Sequence, residues 1–378
     1  MKKNKWLKPR KPLNFLLIKP AGPDCNLSCS YCFYKSKNLL SFSPCPHRMT
    51  DDILVESLRQ ARVASTDALT ICWQGGEPTL MGLDFFKRAL ELEERFCPGE
   101  KTANALQTNG LLIDKEWARF LKKNDFLVGL SIDGPKHIHD KYRCNAAGHG
   151  SWASVIDSAK LLLDEGVSVN ALSVITDYSV KFPLEIYEFN MSIGLDHMQF
   201  IPCVDNYFDG HKLNSTFYPQ PEDLGKFLTN IFDIWYSALG TSKQTFVRFF
   251  EDVFFKYMGL SSPDCSLLEE CGNYVVIEHN GDVYPCDFFV EDRWLLGNII
   301  NGQIKHMLNS AMQNEFGKKK RTLPHNCISC QWLNYCRGGC PKDRLENTGL
   351  NRFCQAYKIF FEHADSRFKR LANQYEKP

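Results

Sequence analysis

Within eleven residues, the stretch DCNLSCSYCFY at 24 to 34 places Cys25, Cys29 and Cys32 with three and then two residues between them. Thiolates bind zinc and iron, and three of them on one short loop are one ligand short of a closed tetrahedral site. Such a set could be a zinc site completed from afar, three unrelated thiols, or a [4Fe-4S] cluster with one iron left without a protein ligand. The spacing favours the cluster. An iron that lacks a thiolate keeps coordination positions for a small molecule, as a catalytic zinc does. A second array reads Cys265, Cys271 and Cys286, then Cys327, Cys330, Cys336 and Cys340, then Cys354. Eight ligands complete two four-cysteine sites, which zinc ribbons and iron–sulfur clusters both satisfy. The other five cysteines, Cys45, Cys72, Cys97, Cys144 and Cys203, are scattered and read as ordinary thiols.

Sixteen cysteines in a short secreted chain would mean disulfides, but 378 residues need no staples. The opening MKKNKWLKPRKPLNFLLIKP is basic, and its apolar run is broken by Lys19 and Pro20 too soon to serve as a secretory core. A cytoplasmic protein is therefore expected, with metal as the reason for the cysteines. Apolar residues make up 44% of the chain, yet no run approaches the ~18 residues that would span a bilayer. A net charge of +1 gives no general attraction to nucleic acid, and the runs KKNK and GKKKR read as solvated surface. No membrane or nucleic-acid partner is expected.

The elements that must hold these ligands alternate through the first two thirds. Strands are predicted over residues 14–19, 68–73, 102–107, 126–131, 167–174 and 197–201. Helical patterns lie between them, one after the cap candidate Thr50 and one stopped by Gly166. Six βα units imply a parallel sheet, either open and doubly wound or curved into a barrel, and the count does not choose. In both cases chemistry gathers at the C-terminal strand ends. There the first strand runs into the three-cysteine loop and later ones into QGGEP, QTNG, SIDGP and IPCVDN. Beyond Pro219 come two helical stretches, then a tight hairpin predicted at Asn280-Gly281, the cysteine array, and a closing helix from about Arg352. Residues 1–218, 219–262 and 263–378 are expected to form a barrel-like domain, a helical connection and a cysteine-rich domain packed directly on the first.

CNLSCSYC, with an aromatic before its last cysteine, resembles the radical S-adenosylmethionine superfamily. The resemblance implies a partial (β/α)6 barrel in which the open iron chelates the amino and carboxylate groups of S-adenosylmethionine. GGEP resembles that family's glycine-rich turn, with Gly75 and Gly76 giving the backbone access to the cofactor and Glu77 supplying a carboxylate near its ammonium. By resemblance Asn109, Ser131, Asp133 and Arg143 contact the cofactor's ribose and carboxylate, although turn capping explains each equally well. The second array resembles the SPASM auxiliary domain. That implies two further [4Fe-4S] clusters, one on Cys265, Cys271, Cys286 and Cys340 and one on Cys327, Cys330, Cys336 and Cys354.

CFY, QGGEPTL, LQTNG, LVGLSIDGP and GDVYPCDF together resemble anaerobic sulfatase-maturating enzymes, which oxidise a Cys or Ser of a sulfatase to formylglycine. The resemblance implies three clusters, a 5'-deoxyadenosyl radical that takes hydrogen from the substrate Cβ, and an external reductant such as flavodoxin or ferredoxin. It also implies Asp287 as the catalytic base and Tyr34 and Gln74 as contacts to the substrate peptide. Two rival readings remain: a maturase that crosslinks a ribosomally made peptide, and a noncatalytic zinc-stabilised binding module.

Overall fold

The computed structural model describes residues 11–34, 45–66, 68–96, 99, 102–204, 207–208, 211–212 and 217–375. Cys97, the KKNK run, Asp205 and Asn206 of the IPCVDN loop, and residues 39–44 lie outside them. Six strands follow one another through the first two thirds: β1 (Phe15–Lys19), β2 (Thr70–Trp73), β3 (Ala103–Thr108), β4 (Leu127–Ser131), β5 (Ser168–Ile175) and β6 (His197–Pro202). Each pairs in parallel with the next. Helices α1 (Asp51–Ala64), α2 (Leu83–Phe96), α3 (Lys115–Lys123), α4 (Trp152–Asp164) and α5 (Pro183–Ser192) make the crossovers.

Helix ends follow local chemistry. Asp114 accepts the Trp117 backbone N–H at the start of α3 at 2.9 Å. Gly166, with φ of 74°, ends the turn after α4 in the left-handed region that glycine tolerates best. Thr50 does stand before α1, but its hydroxyl makes no capping bond, so that helix start rests on Asp51 and Asp52 against the helix dipole.

The sheet does not stop at six strands. Among the described residues its order is β10-β9-β8-β1-β2-β3-β4-β5-β6-β7, where β7 is Phe246–Val247, β8 Val275–Glu278, β9 Asp282–Tyr284 and β10 Gly297–Asn298. Phe246 and Val247 read as helix in the sequence, yet they pair in parallel with His197 and Met198, and the helix starts only at Arg248. The β8–β9 hairpin extends the barrel sheet, with β8 lying parallel to β1 and Lys19 opposite Glu278. Without it, the β1 edge would leave a row of unpaired backbone groups. Its loop is longer than the expected two residues. Ile277 pairs with Val283, and Gly281 alone takes positive φ, at 85°, as in hairpins that end a type I turn on a left-handed residue.

Alternation along the strands separates two faces. Leu16, Ile18, Ile71, Trp73, Leu106, Val128, Leu130, Val275 and Ile277 join the core under the helices. Leu17, Lys19, Cys72, Gly129, Ser131, Val276 and Glu278 fall on the opposite, inner face. A second core of aromatic residues binds α6 (Pro221–Ala238), α7 (Arg248–Tyr257) and the closing helix α8 (Cys354–Tyr375). Phe250 and Phe360 stack there with centroids 5.4 Å apart.

One polar chain crosses the helix–sheet interface. Trp73 Nε1 donates to Asn104 Oδ1 at 2.8 Å, and Asn104 Nδ2 to Glu93 Oε2 at 3.0 Å. Burial raises the Glu93 carboxyl from 4.5 to about 7, only partly offset by the Asn104 bond. A carboxyl whose folded value is raised favours folding most below its unfolded value and loses that advantage as pH climbs through the folded one. Glu93→Gln keeps the acceptor without the charge. Its melting temperature is expected to exceed that of the parent at pH 8 and to converge with it near pH 5, checked by thermal melts across that range.

Candidate active site

The three-cysteine loop leaves the C-terminal end of β1. Cys32 N–H bonds to Cys29 O at 3.2 Å, while Ser28 and Ser30 donate backbone N–H groups to Cys144 O and Tyr142 O. Burial pushes the Cys25 thiol up to about 12 and the Cys29 thiol up to about 11, and their neighbouring thiolates add to this. Such thiols ionise when a metal replaces the protons. Among the described residues no three His, Cys, Asp or Glu side chains converge on a point that one metal ion could occupy.

Two glycines lock this loop to the next strand end. Gly76 N–H bonds to Gly22 O at 2.8 Å and Glu77 N–H to Asp24 O at 2.7 Å. A Cβ on Gly76 would overlap the Asp24 carbonyl, and one on Gly75, whose φ is 126°, would lie 2.9 Å from Gly22 O. The close approach that needs glycine is thus to the cysteine loop itself. Glu77 was expected to offer a carboxylate to the cofactor, but both its oxygens are already held. Thr79 N, Thr79 Oγ1 and Thr108 Oγ1 donate to Oε1, and Asn109 N donates to Oε2 at 2.7 Å. Burial raises its pKa despite these bonds. Glu77 thereby ties the GGEP turn to QTNG.

Asn109 returns to the cysteine loop, donating to Asn26 Oδ1 at 2.7 Å and lying 3.6 Å from Cys25 Sγ. Ser131 sits buried at the end of β4 on the inner face. Asp133 and Arg143 pair with each other: Arg143 Nε donates to Asp133 Oδ2 at 2.9 Å, Tyr31 OH donates to the same oxygen at 2.5 Å, and Val174 N–H takes Oδ1. Both residues are buried, and Asp133 holds Arg143 charged against the cost of burial. The sequence signals that each could reach a cofactor, but not that they are partners from separate loops.

Gln74 Nε2 donates to Gln107 Oε1 at 2.8 Å, while its own Oε1 is buried without a partner in the structure. Tyr34 is buried and donates to Glu278 Oε1 at 2.5 Å. Asp287 opens a short turn after Cys286 and is 8% exposed. Tyr274 OH donates to its Oδ1 at 3.3 Å, and its charge bears on Cys72 of the inner face and on Tyr34.

The eight later cysteines separate into two neighbourhoods. After burial, Cys271 raises the thiol pKa of Cys265, Cys265 raises that of Cys286, and Cys286 and Cys265 raise that of Cys340. Cys336 is pushed up to about 11 by burial and then by Cys330, Cys327 and Cys354. Those four line one cleft together with Trp332, Tyr357 and Phe361.

Sequence reasoning missed Tyr31, Lys19 and Glu278. Lys19 and Glu278 are polar at the edge of an apolar run, where a strand-ending residue is the usual explanation, and Tyr31 was noted only as the aromatic of the cysteine motif. Gly76→Ala must drive the Pro23–Asp24 backbone, and Cys25 with it, out of place. Reductive cleavage of S-adenosylmethionine is expected to fall roughly 100-fold, measured as 5'-deoxyadenosine yield after anaerobic reconstitution. An undiminished yield would mean that the two loops do not depend on this contact.

Residues 20–187 match the family model of the Radical SAM superfamily, and residues 265–331 that of an iron–sulfur cluster-binding domain, SPASM. A serine-type anaerobic sulfatase-maturating enzyme of Bacteroides thetaiotaomicron is 36% identical across 96% of this chain and 93% of its own. A cysteine-type enzyme of Clostridium perfringens is 36% identical across 95% of this chain and 98% of its own. The solved structure described as native anSMEcpe with bound AdoMet and Cp18Cys peptide superposes with a TM-score of 0.88 at 36% identity, covering 96% of this chain and 99% of that one. Similarity of this degree runs along nearly the whole length, and the chain belongs to the family of anaerobic sulfatase-maturating enzymes within the radical S-adenosylmethionine superfamily.

Proposed function

We propose that this protein oxidises a Cys or Ser side chain of a sulfatase polypeptide to Cα-formylglycine, with Asp287 as the base. The observation that carries this is the position of Asp287: a buried carboxylate directly after a cysteine of the first C-terminal set, its charge reaching the inner face of the barrel. A base there stands beside both the reacting side chain and the ligands of a redox group.

When bound, S-adenosylmethionine with a cluster on Cys25, Cys29 and Cys32 supplies hydrogen-atom abstraction at the target Cβ, and a cluster on Cys265, Cys271, Cys286 and Cys340 supplies a one-electron acceptor. The third cluster is assigned to Cys327, Cys330, Cys336 and Cys354. The chain's own residues do the positioning. Asn109 and Glu77 brace the first loop; Ser131 and the Asp133–Arg143 pair line the cofactor's side of the strand ends. Gln74, its Oε1 buried and unpartnered, accepts a peptide N–H, and Tyr34 contacts the same peptide. Asp287 removes the thiol or hydroxyl proton as the carbon–heteroatom double bond forms, and water converts a thioaldehyde into the aldehyde. A low-potential donor of the flavodoxin or ferredoxin type supplies the electrons, in a reducing cytoplasm that keeps the thiols free. Among the described residues no helix is long and apolar enough to cross a membrane.

Three clusters of four irons predict about 12 irons per chain, and zinc without iron by anaerobic metal analysis would refute the reading. With reductant, S-adenosylmethionine and a sulfatase-motif peptide, mass spectrometry should find the target thiol or hydroxyl replaced by an aldehyde. Asp287→Asn should abolish the aldehyde and leave cofactor cleavage measurable; full activity in that variant would remove Asp287 from its role.

A further inference from the structure

Where β8 joins β1, three polar side chains meet on the inner face of the sheet. The parallel register sets Lys19 opposite Glu278. Lys19 Nζ lies 3.7 Å from Glu278 Oε1 and 4.1 Å from the centroid of the Tyr34 ring, with no hydrogen-bond partner. Tyr34 OH donates to that same Glu278 oxygen at 2.5 Å. Lys19 is 1% exposed, Tyr34 4% and Glu278 6%. Both charged residues end otherwise apolar strands, FLLIK and VVIE.

A buried ion pair is a poor device for stability, since apolar side chains of similar volume often do as well or better. This one has a direct chemical consequence. A phenol has a single proton to donate, and here Glu278 takes it. The Tyr34 oxygen can then meet a substrate only as an acceptor. The Lys19 ammonium faces the same Glu278 oxygen that receives the phenol O–H. The same ammonium sits over the ring face, the favourable cation–π position, and fixes the ring plane.

We propose that Lys19 and Glu278 are positioning residues that hold Tyr34 as a hydrogen-bond acceptor for a donor on the substrate peptide, either a backbone N–H or the target thiol or hydroxyl. The inference rests on the sulfatase-peptide reading above. It assigns no proton or electron transfer to the pair.

The test uses the full chain, anaerobically reconstituted, with a sulfatase-motif peptide. Glu278→Gln, nearly isosteric, can donate from its amide to the phenol and so reverse the bond. Its peptide KM is expected to rise about tenfold, the worth of one hydrogen bond, with a smaller change in kcat and unchanged iron content. Tyr34→Phe should raise KM similarly, and the double variant Tyr34→Phe/Glu278→Gln should match Tyr34→Phe alone, because Glu278 acts through the phenol. Lys19→Met should also raise KM, with partial rescue by Lys19→Arg. Additive effects in the double variant, an unchanged KM in Glu278→Gln, or loss of iron or folding in that variant would each overturn the proposal and leave the pair a structural job. If the parent protein forms no aldehyde from the peptide, it is the functional reading that fails instead.

Discussion

Crowding of desolvated thiols is the constraint on which the rest of this structure turns. Eleven cysteines lie in three sets, and burial pushes the thiols of Cys25, Cys265 and Cys336, one from each set, to between about 11 and 12. Neutral thiols gain little from such crowding, while thiolates repel one another and lose hydration. Crowded thiols of this kind ionise together only around a positive partner. Between Ser262 and the closing helix the regular elements are short: strands of two to four residues, short helical turns and one nine-residue helix over Ala311–Lys319.

The barrel contributes something different, a rigid backbone frame for the first set. No side chain could occupy the space between the GGEP turn and the cysteine loop, and two backbone bonds from Gly76 and Glu77 close it. Glu77, Thr108 and Asn109 then couple that turn to the neighbouring strand end. The geometry of the first three thiols therefore comes from loops after β1, β2 and β3 acting as one unit, each fixed by a parallel strand pair beneath it. A site needing placement within a fraction of an ångström is better built on such supports than on a free loop.

Much of this was legible in the sequence, for identifiable reasons. Period-two runs between helical patterns located all six parallel strands to within two residues, because both signals are local. The cysteine arrays stood out because cysteine spacing carries chemical meaning by itself. What escaped were interactions between distant segments. Nothing local says that VVIE pairs in parallel with FLLIK across some 260 residues, so the hairpin's place in the barrel sheet was invisible. The partnership of Asp133 with Arg143 and Tyr31 was hidden in the same way, since each residue had a sufficient explanation as a turn or cap. Lys19 and Glu278 looked like the polar ends of strands, and only the register turns them toward each other.

That same long-range pairing ties the cysteine-rich segment to the barrel sheet. β8 extends the β1 edge and β9 runs back antiparallel to it, so Cys286 and Asp287 come to lie beside Tyr274, the residue that precedes β8. Fixed cations follow them. Lys320 is fully buried and donates to Cys265 O and Ser266 O, both at 2.6 Å, with Cys271 and Cys340 within its electrostatic reach. Lys342 feels both Cys340 and Asp287. Arg344 lies between the two C-terminal sets, within reach of Cys271, Cys340 and Cys327. Charge and hydrogen bonding around sulfur ligands set the potential of an iron–sulfur group, and added positive charge favours its reduced form. The cations gather mainly about the set beside Asp287. One segment, anchored to the barrel sheet through β8, thus gathers a buried carboxylate, four crowded thiols and the positive charges that offset them.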